Sequence, residues 1–283
     1  MSNFKIRCSE IGKLMAGDIY PTLTSAIKAI QSKVEAGKKL TELQQAALDK
    51  YELALNSPEL PKGVKTYLEG WHKEQEYKRR KEFKSKYTDK GNAVEDDAID
   101  FIGEALGFGF LMKNEEHFGN GFIQGTPDVI FNDLVIDNKS SWDCFTFPLY
   151  EDSISSDYWW QAQGYMILTG RSKYLLAYTL MDLTDEDALM REAWNAARAA
   201  GLDEVDEDLY LSVKAKHTYS DLPDHKRIKA YFFNKAEEAE SQITERVKLA
   251  RLYIDSLKYN NIIEYSKGEI VKRSSLQVEN DKA

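Results

Sequence analysis

Two carboxylates and a lysine, Asp128, Asp137 and Lys139, fall within one short stretch, Gly125 to Lys139. Apolar runs Val129–Phe131 and Leu134–Ile136 flank Asn132-Asp133. Asn and Asp tolerate the positive φ of a tight two-residue turn, so the stretch predicts a β-hairpin. Counting outward from the turn pairs Phe131 with Leu134, Ile130 with Val135, Val129 with Ile136 and Asp128 with Asp137. Side chains alternate along a strand, which puts Asp128, Asp137 and Lys139 on one face and Val129, Phe131, Leu134 and Ile136 on the other. Facing carboxylates repel unless a positive charge lies between them. A divalent cation meets that need, and oxygen-only ligands favour Mg²⁺ or Mn²⁺ over zinc. Lys139 adds a point charge where an attacking water or a scissile phosphate would lie. The same three residues also suit an ordinary hairpin with a surface charge cluster, which costs little. The hairpin alone leaves both readings open.

The elements that must hold this hairpin follow from periodicity. A helix over Asp89–Leu106 carries Glu95 beside the apolar stripe Val94, Ala98, Phe101, Ile102 and Ala105. A strand is expected around Leu111–Phe118, then a turn at Gly119-Asn120-Gly121 and a strand from Phe122 to Gln124 leading into the hairpin. Asp157–Thr169 reads as a helix capped by Ser156 or Asp157, with Gln161 and Tyr165 four residues apart on one face. Tyr174–Leu180 reads as a further strand. Apolar residues on both faces of the hairpin call for helices on both sides of the sheet. Trp142, Phe145 and Phe147 suit stacking on a base or sugar, or packing on a neighbouring element.

Asp128 followed by Asp137-Asn138-Lys139 resembles the signature of the PD-(D/E)xK nucleases, with Pro127-Asp128 as its first part. Three more stretches resemble the same superfamily: Gly91 to Glu95, Gln161 to Tyr165, and Arg7-Cys8-Ser9-Glu10-Ile11-Gly12. Together they cover about residues 5–180 and look most like phage recombination exonucleases of the lambda and YqaJ type. The resemblance implies that Glu95, Asp128, Asp137 and the Asn138 backbone carbonyl hold Mg²⁺ or Mn²⁺. It implies that Lys139 activates water and that Gln161 and Tyr165 position water or phosphate. It further implies double-stranded DNA ends as substrate, a single-strand annealing protein as partner, a trimeric homo-oligomer, and a phage or prophage gene acting in the bacterial cytoplasm. A sequence- or structure-specific endonuclease would use the same residues. A catalytically silent DNA-binding protein would not need all of them.

The chain has 283 residues, 42% hydrophobic and 30% charged, enough for a sizeable core. The expected class is α/β: a central mixed sheet of four or five strands with helices on both faces. Residues 1–84 form a helical N-terminal region, 85–182 the catalytic core, and 183–283 a helical extension with an edge strand around His225–Phe233. In the first region, residues 1–23 read as a short helical entry, Thr24–Gly37 as a helix and Thr41-Glu-Leu-Gln44 as a capping box opening another. A long helix from Lys62 to about Lys84 follows. In the last region, Asp185–Ala200 is helical, Glu204–Lys216 is ambiguous, Lys235–Leu257 is a long amphipathic helix, and a polar tail begins at Lys267.

No apolar run is long enough for a membrane span, and no signal peptide is evident at the N-terminus. The two cysteines, Cys8 and Cys144, cannot hold an iron–sulfur cluster by themselves. The net charge of −9 does not advertise a nucleic-acid binder. Its distribution does: Lys73 to Lys90 is a basic block with interleaved aromatics that leads into Glu95. Lys78, Arg79, Arg80 and Lys81 are its centre. With Arg7, Ser9 and Trp142 they form the candidate DNA-binding set, while an ordinary solvated helix face remains the other reading of the block.

Overall fold

The computed structural model describes residues 2–81, 85–258, 262–266 and 268–274. The chain enters as strand β1 (Ile6–Arg7), a 3-10 turn at Cys8–Glu10, and helix α1 (Ile11–Met15). A purely helical entry was expected. The strand forms because Ile6 and Arg7 pair in parallel with Ile123 and Gln124, a partnership local periodicity cannot reveal. Helices α2 (Ser25–Glu35) and α3 (Glu42–Leu55) follow as expected. Thr24 caps α2, and Thr41 with Gln44 forms the anticipated capping box on α3.

Helix α4 (Lys62–Tyr77) ends earlier than the sequence suggests, because Lys78 adopts a left-handed φ of 49°. Continuing the helix would stack Lys78 to Lys81 at spacings where like charges repel. Residues 82–84 of the basic block lie outside the described residues. The helix expected over Asp89–Leu106 is two: α5 (Lys86–Ala93) and α6 (Glu95–Ala105). The break is at Val94 (φ −110°, ψ 10°), whose side chain is buried with Ala98 and Met181. The kink starts a new helix at Glu95, where acidic side chains complement the positive end of the helix dipole.

The strand expected over Leu111–Phe118 is mostly extended chain. Lys113 makes an isolated antiparallel bridge to Val129, and only Phe118–Gly119 forms a strand, β2. β2 hairpins with β3 (Ile123–Gly125), and the Asn120 side chain accepts hydrogen bonds from the N–H groups of Phe122 and Ile123 at the turn. β3 does not lead into the central sheet. It lies in a separate three-stranded sheet of order β1-β3-β2.

The predicted hairpin is present as β4 (Val129–Phe131) and β5 (Leu134–Ser140), paired in the counted register. Asn132 takes the positive φ of the turn, 54°. Asp133 instead accepts hydrogen bonds from the Ser172 N–H and hydroxyl, tying the turn to the next strand. Helix α7 (Ser156–Thr169) is capped by Ser155, one residue ahead of the expected cap. It crosses over to β6 (Lys173–Thr179), which runs parallel to β5 as such a crossover requires. Helices α8 (Glu186–Ala200) and α9 (Glu207–Lys216) resolve the ambiguous stretch as helix. Strand β7 (Ile228–Asn234) closes the central sheet antiparallel to β6, giving the order β4-β5-β6-β7. The segment 85–182 therefore does not complete its own sheet. Helix α10 (Ala239–Ser256) follows, then a hairpin of β8 (Ile262–Ser266) and β9 (Glu269–Ser274), the second strand lying where a polar tail was expected. Residues 275–283 lie outside the described residues.

Alternation along the central strands gives the sheet two apolar faces. Val135, Tyr174 and Leu176 pack with α1, α4, α7 and α10 on one side. Val129, Leu134, Ile136, Leu175 and Ala177 pack under Ile99 and Ile102 of α6 on the other. Each fully buried aliphatic side chain of this kind contributes about 1.5–3 kcal/mol. The apolar side of α10, Ile243, Val247, Ala250 and Ile254, is spent inside the subunit on the α7 side of the sheet. No helix among the described residues is long and apolar enough to cross a membrane.

Candidate active site

Asp137 and Lys139 leave β5 on the face covered by α7, next to Val135. Asp137 is 1% exposed. Its Oδ1 accepts a hydrogen bond from Gln161 Nε2 of α7 at 3.0 Å. Its Oδ2 forms an ion pair with Lys139 Nζ and takes no hydrogen bond of ordinary geometry among the described residues. Asp128 continues the register of β4, and its Oδ2 accepts the Asn138 N–H at 2.8 Å. A strand residue sends its N–H and C=O to the same edge, so the Asn138 carbonyl leaves on the side of Asp128. The Asn138 side chain is fixed separately, donating to Ser140 Oγ at 2.9 Å and accepting from Thr179 Oγ1 at 2.9 Å.

The electrostatics follow from this crowding. Burial, then the charge of Asp137, pushes the Asp128 carboxyl up to about 7, although Lys139 and the Asn138 N–H pull it down. Burial works against a charged Lys139, but Asp137 and Asp128 outweigh it and hold the ammonium's pKa above its ordinary value. Tyr158, one helical turn before Gln161, lies 5.6 Å from Lys139 Nζ at its ring centroid and steadies that cation. The sequence reading missed Tyr158, although its spacing of three from Gln161 places both on one helix face.

Glu95 lines the same cleft as Asp128 but is engaged there. Its carboxylate pairs with Lys113 Nζ at 2.7 Å, and Lys113 also holds Asp96 at 2.8 Å. No group of three or more Asp, Glu, His or Cys side chains poised for a metal occurs among the described residues. Glu95 is near enough to add to the negative field on Asp128 and lines the same cleft, but Lys113 holds its carboxylate. Lys113 comes from the extended stretch read as a strand, and nothing in the sequence marks it. Asp128 and Asp137 nevertheless suit a hard cation: two carboxylates supplying oxygen ligands, one oxygen of Asp137 being met by the Lys139 ammonium, and a raised Asp128 that a positive charge would return to its ionised form. Tyr165 lies in the field of Asp137 and Asp128. Its hydroxyl donates to the Thr126 carbonyl at 3.0 Å, so it supports the loop entering Asp128.

Asp128, Asn138, Lys139 and Gln161 open into a cleft of about 980 Å³ that also receives Glu95, Arg7, Ser9 and Arg80. Pairing of β1 with β3 brings Arg7 and Ser9 to it. Of the basic run, Arg80 reaches this cleft, while Lys78, Arg79 and Lys81 line an adjoining groove. Trp142 lines the cleft but is 4% exposed, packed on Leu183 and Leu189 with Lys86 Nζ 4.4 Å from its ring centroid. It is a wall of the cleft and offers no free ring for stacking. Phe147 is likewise buried, and Phe145 is exposed.

No family model matches the chain, and no curated protein sequence matches it. Solved structures do. A phage-related exonuclease from Haemophilus somnus 129PT aligns at 24% identity over 89% of this chain and 94% of its own, with a TM-score of 0.59. LHK-Exo, solved in complex with dAMP, aligns at 11% identity over 89% of this chain and 88% of its own, with a TM-score of 0.51. LHK-Exo is an alkaline exonuclease from Laribacter hongkongensis. The chain shares the fold of these exonucleases. At such identities the likeness is one of fold, and it agrees with the α/β class expected from the sequence.

Proposed function

We propose that the chain is a metal-dependent deoxyribonuclease that degrades linear double-stranded DNA from its ends. The observation that carries this reading is the cluster of Asp128 and Lys139 lining one cleft, with Asp137 buried just beneath them, paired to Lys139 and held by Gln161. The nuclease character of both structural neighbours supports it. Asp128 and Asp137, with the Asn138 carbonyl, would hold Mg²⁺ or Mn²⁺, and Glu95 would join directly or through water once freed from Lys113. The ion supplies a water of lowered pKa and a positive charge for the phosphate. Lys139 orients the attacking water and offsets charge on the five-coordinate phosphate. Gln161 fixes the Asp137 carboxylate, and Tyr158 limits where the Lys139 ammonium can go. Arg7, Ser9 and Arg80 meet phosphates at the rim.

The finer context rests on the motif resemblance: a phage-type recombination role in the bacterial cytoplasm, a single-strand annealing protein as partner, and a ring-shaped homotrimer. The deciding experiment incubates end-labelled linear DNA and closed circular DNA with Mg²⁺ and follows product lengths. Progressive shortening of the linear duplex with the circle intact is the expected result. Cleavage of the circle points to an endonuclease, and no cleavage of either removes the enzymatic reading.

A further inference from the structure

Beside the catalytic cleft runs a second groove of about 730 Å³ that shares Arg7, Glu10 and Arg80 with it. Six cations line this groove: Lys5, Arg7, Lys78, Arg79, Arg80 and Lys81. None of them makes an ion pair among the described residues. The groove's two carboxylates are already engaged. Glu10 pairs with Lys13 at 3.2 Å and accepts from the Tyr67 hydroxyl at 3.1 Å. Glu74 accepts the Lys81 N–H at 3.0 Å. In a chain of net charge −9, six cations against the two carboxylates Glu10 and Glu74 leave an excess of positive charge that an anion would relieve. Two half-buried aromatics, Tyr67 and Trp71, share the wall, and Trp71 is held edge-to-face on Phe4 at 4.9 Å.

We propose that this groove holds a single strand of DNA continuous with the strand in the cleft, with Lys5 on its backbone and Trp71 stacking a base. The proposal rests on the nuclease reading but assigns a different surface. Cations interleaved with aromatic rings form the platform for unpaired bases, whose faces a duplex hides. Arg7 and Arg80, common to both cavities, are the bridge along which the phosphates pass.

The test is fluorescence anisotropy of a labelled oligothymidine and of a duplex of equal length, in EDTA to prevent cleavage, on the full chain. Wild type should bind the single strand more tightly. Lys5→Ala should weaken single-strand binding severalfold and flatten the dependence of log K on log salt by about 0.7. Trp71→Ala should weaken it about tenfold, as stacking losses do. Trp71→Phe, which keeps a ring against Phe4, should recover most of that, and Lys5→Ala, at an exposed position, carries the test should Trp71→Ala fail to fold. Unchanged single-strand affinity in Lys5→Ala or in a folded Trp71→Ala, or equal losses on single strand and duplex, would overturn the proposal. Failure of the nuclease reading shows separately, as absence of cleavage by wild type with Mg²⁺.

Discussion

Gln161 Nε2 donates to Asp137 Oδ1 at 3.0 Å, joining helix α7 to strand β5 at a buried carboxylate. The bond orients an acidic group that has little else to hold it, since its other oxygen meets only the Lys139 ammonium. Gln161→Ala should therefore lower cleavage 10–100-fold, the range seen when a partner of a metal ligand is lost. A melt should show a cost of about 1–3 kcal/mol. Full activity in this variant would reduce Gln161 to a packing residue.

Asp128→Asn and Asp137→Asn should each abolish cleavage while leaving the protein folded. Asp128→Asn should melt no lower than wild type without metal, because it removes one of two carboxylates that repel in a buried place. Nuclease assays beside thermal melts decide this, and turnover in both variants would remove the site assignment.

Lys139→Ala should lose orders of magnitude in cleavage rate with only a modest loss of DNA affinity, since one phosphate contact contributes a small share. Ca²⁺ should support binding and not cleavage, because it is larger and holds looser geometry. Normal cleavage by Lys139→Ala would make Lys139 a bystander.

Lys90 is 1% exposed, and its ammonium donates to the Trp142 carbonyl at 2.9 Å. Burial depresses its pKa to about 8, against an ordinary 10.5, despite the opposing pull of Asp143 and Asp182. The unfolded chain thus binds the proton more tightly, and the resulting penalty is present in full below pH 8. It is relieved as pH rises towards 10.5, so this residue's contribution to stability climbs by up to about 3 kcal/mol across that window. Urea melts of wild type and Lys90→Met at pH 7.5 and 10 measure it. The difference between the two proteins should shift in favour of wild type at the higher pH, and parallel curves would contradict the assignment.

Light scattering should give a mass several times 32.5 kDa if the ring reading holds. An unlabelled DNA trap added after binding should then leave most started molecules digested far along. A monomer that stops at once would keep the nuclease site and remove the ring. Because α10 uses its apolar side within the subunit, the contacts of such a ring must come from other surfaces.

The sequence by itself determined the hairpin that carries the candidate site. Asn132-Asp133 set the turn, and the two-residue alternation then dictated which side chains share a face, so Asp128, Asp137 and Lys139 followed from counting. The capping box at Thr41 and the crossover helix carrying Gln161 were legible for the same reason: their signals lie within a few residues of the structure they specify. What only the tertiary structure decided involves partners distant in sequence. Lys113 pairs with Glu95, Tyr165 donates to the Thr126 carbonyl, and Trp142 is enclosed by α8. The pairing of β1 with β3 brings Arg7 to the rim, and the left-handed stop at Lys78 turns a helical basic stripe into a groove wall. Each depends on which surfaces become neighbours after collapse, and residue type and periodicity carry no record of that.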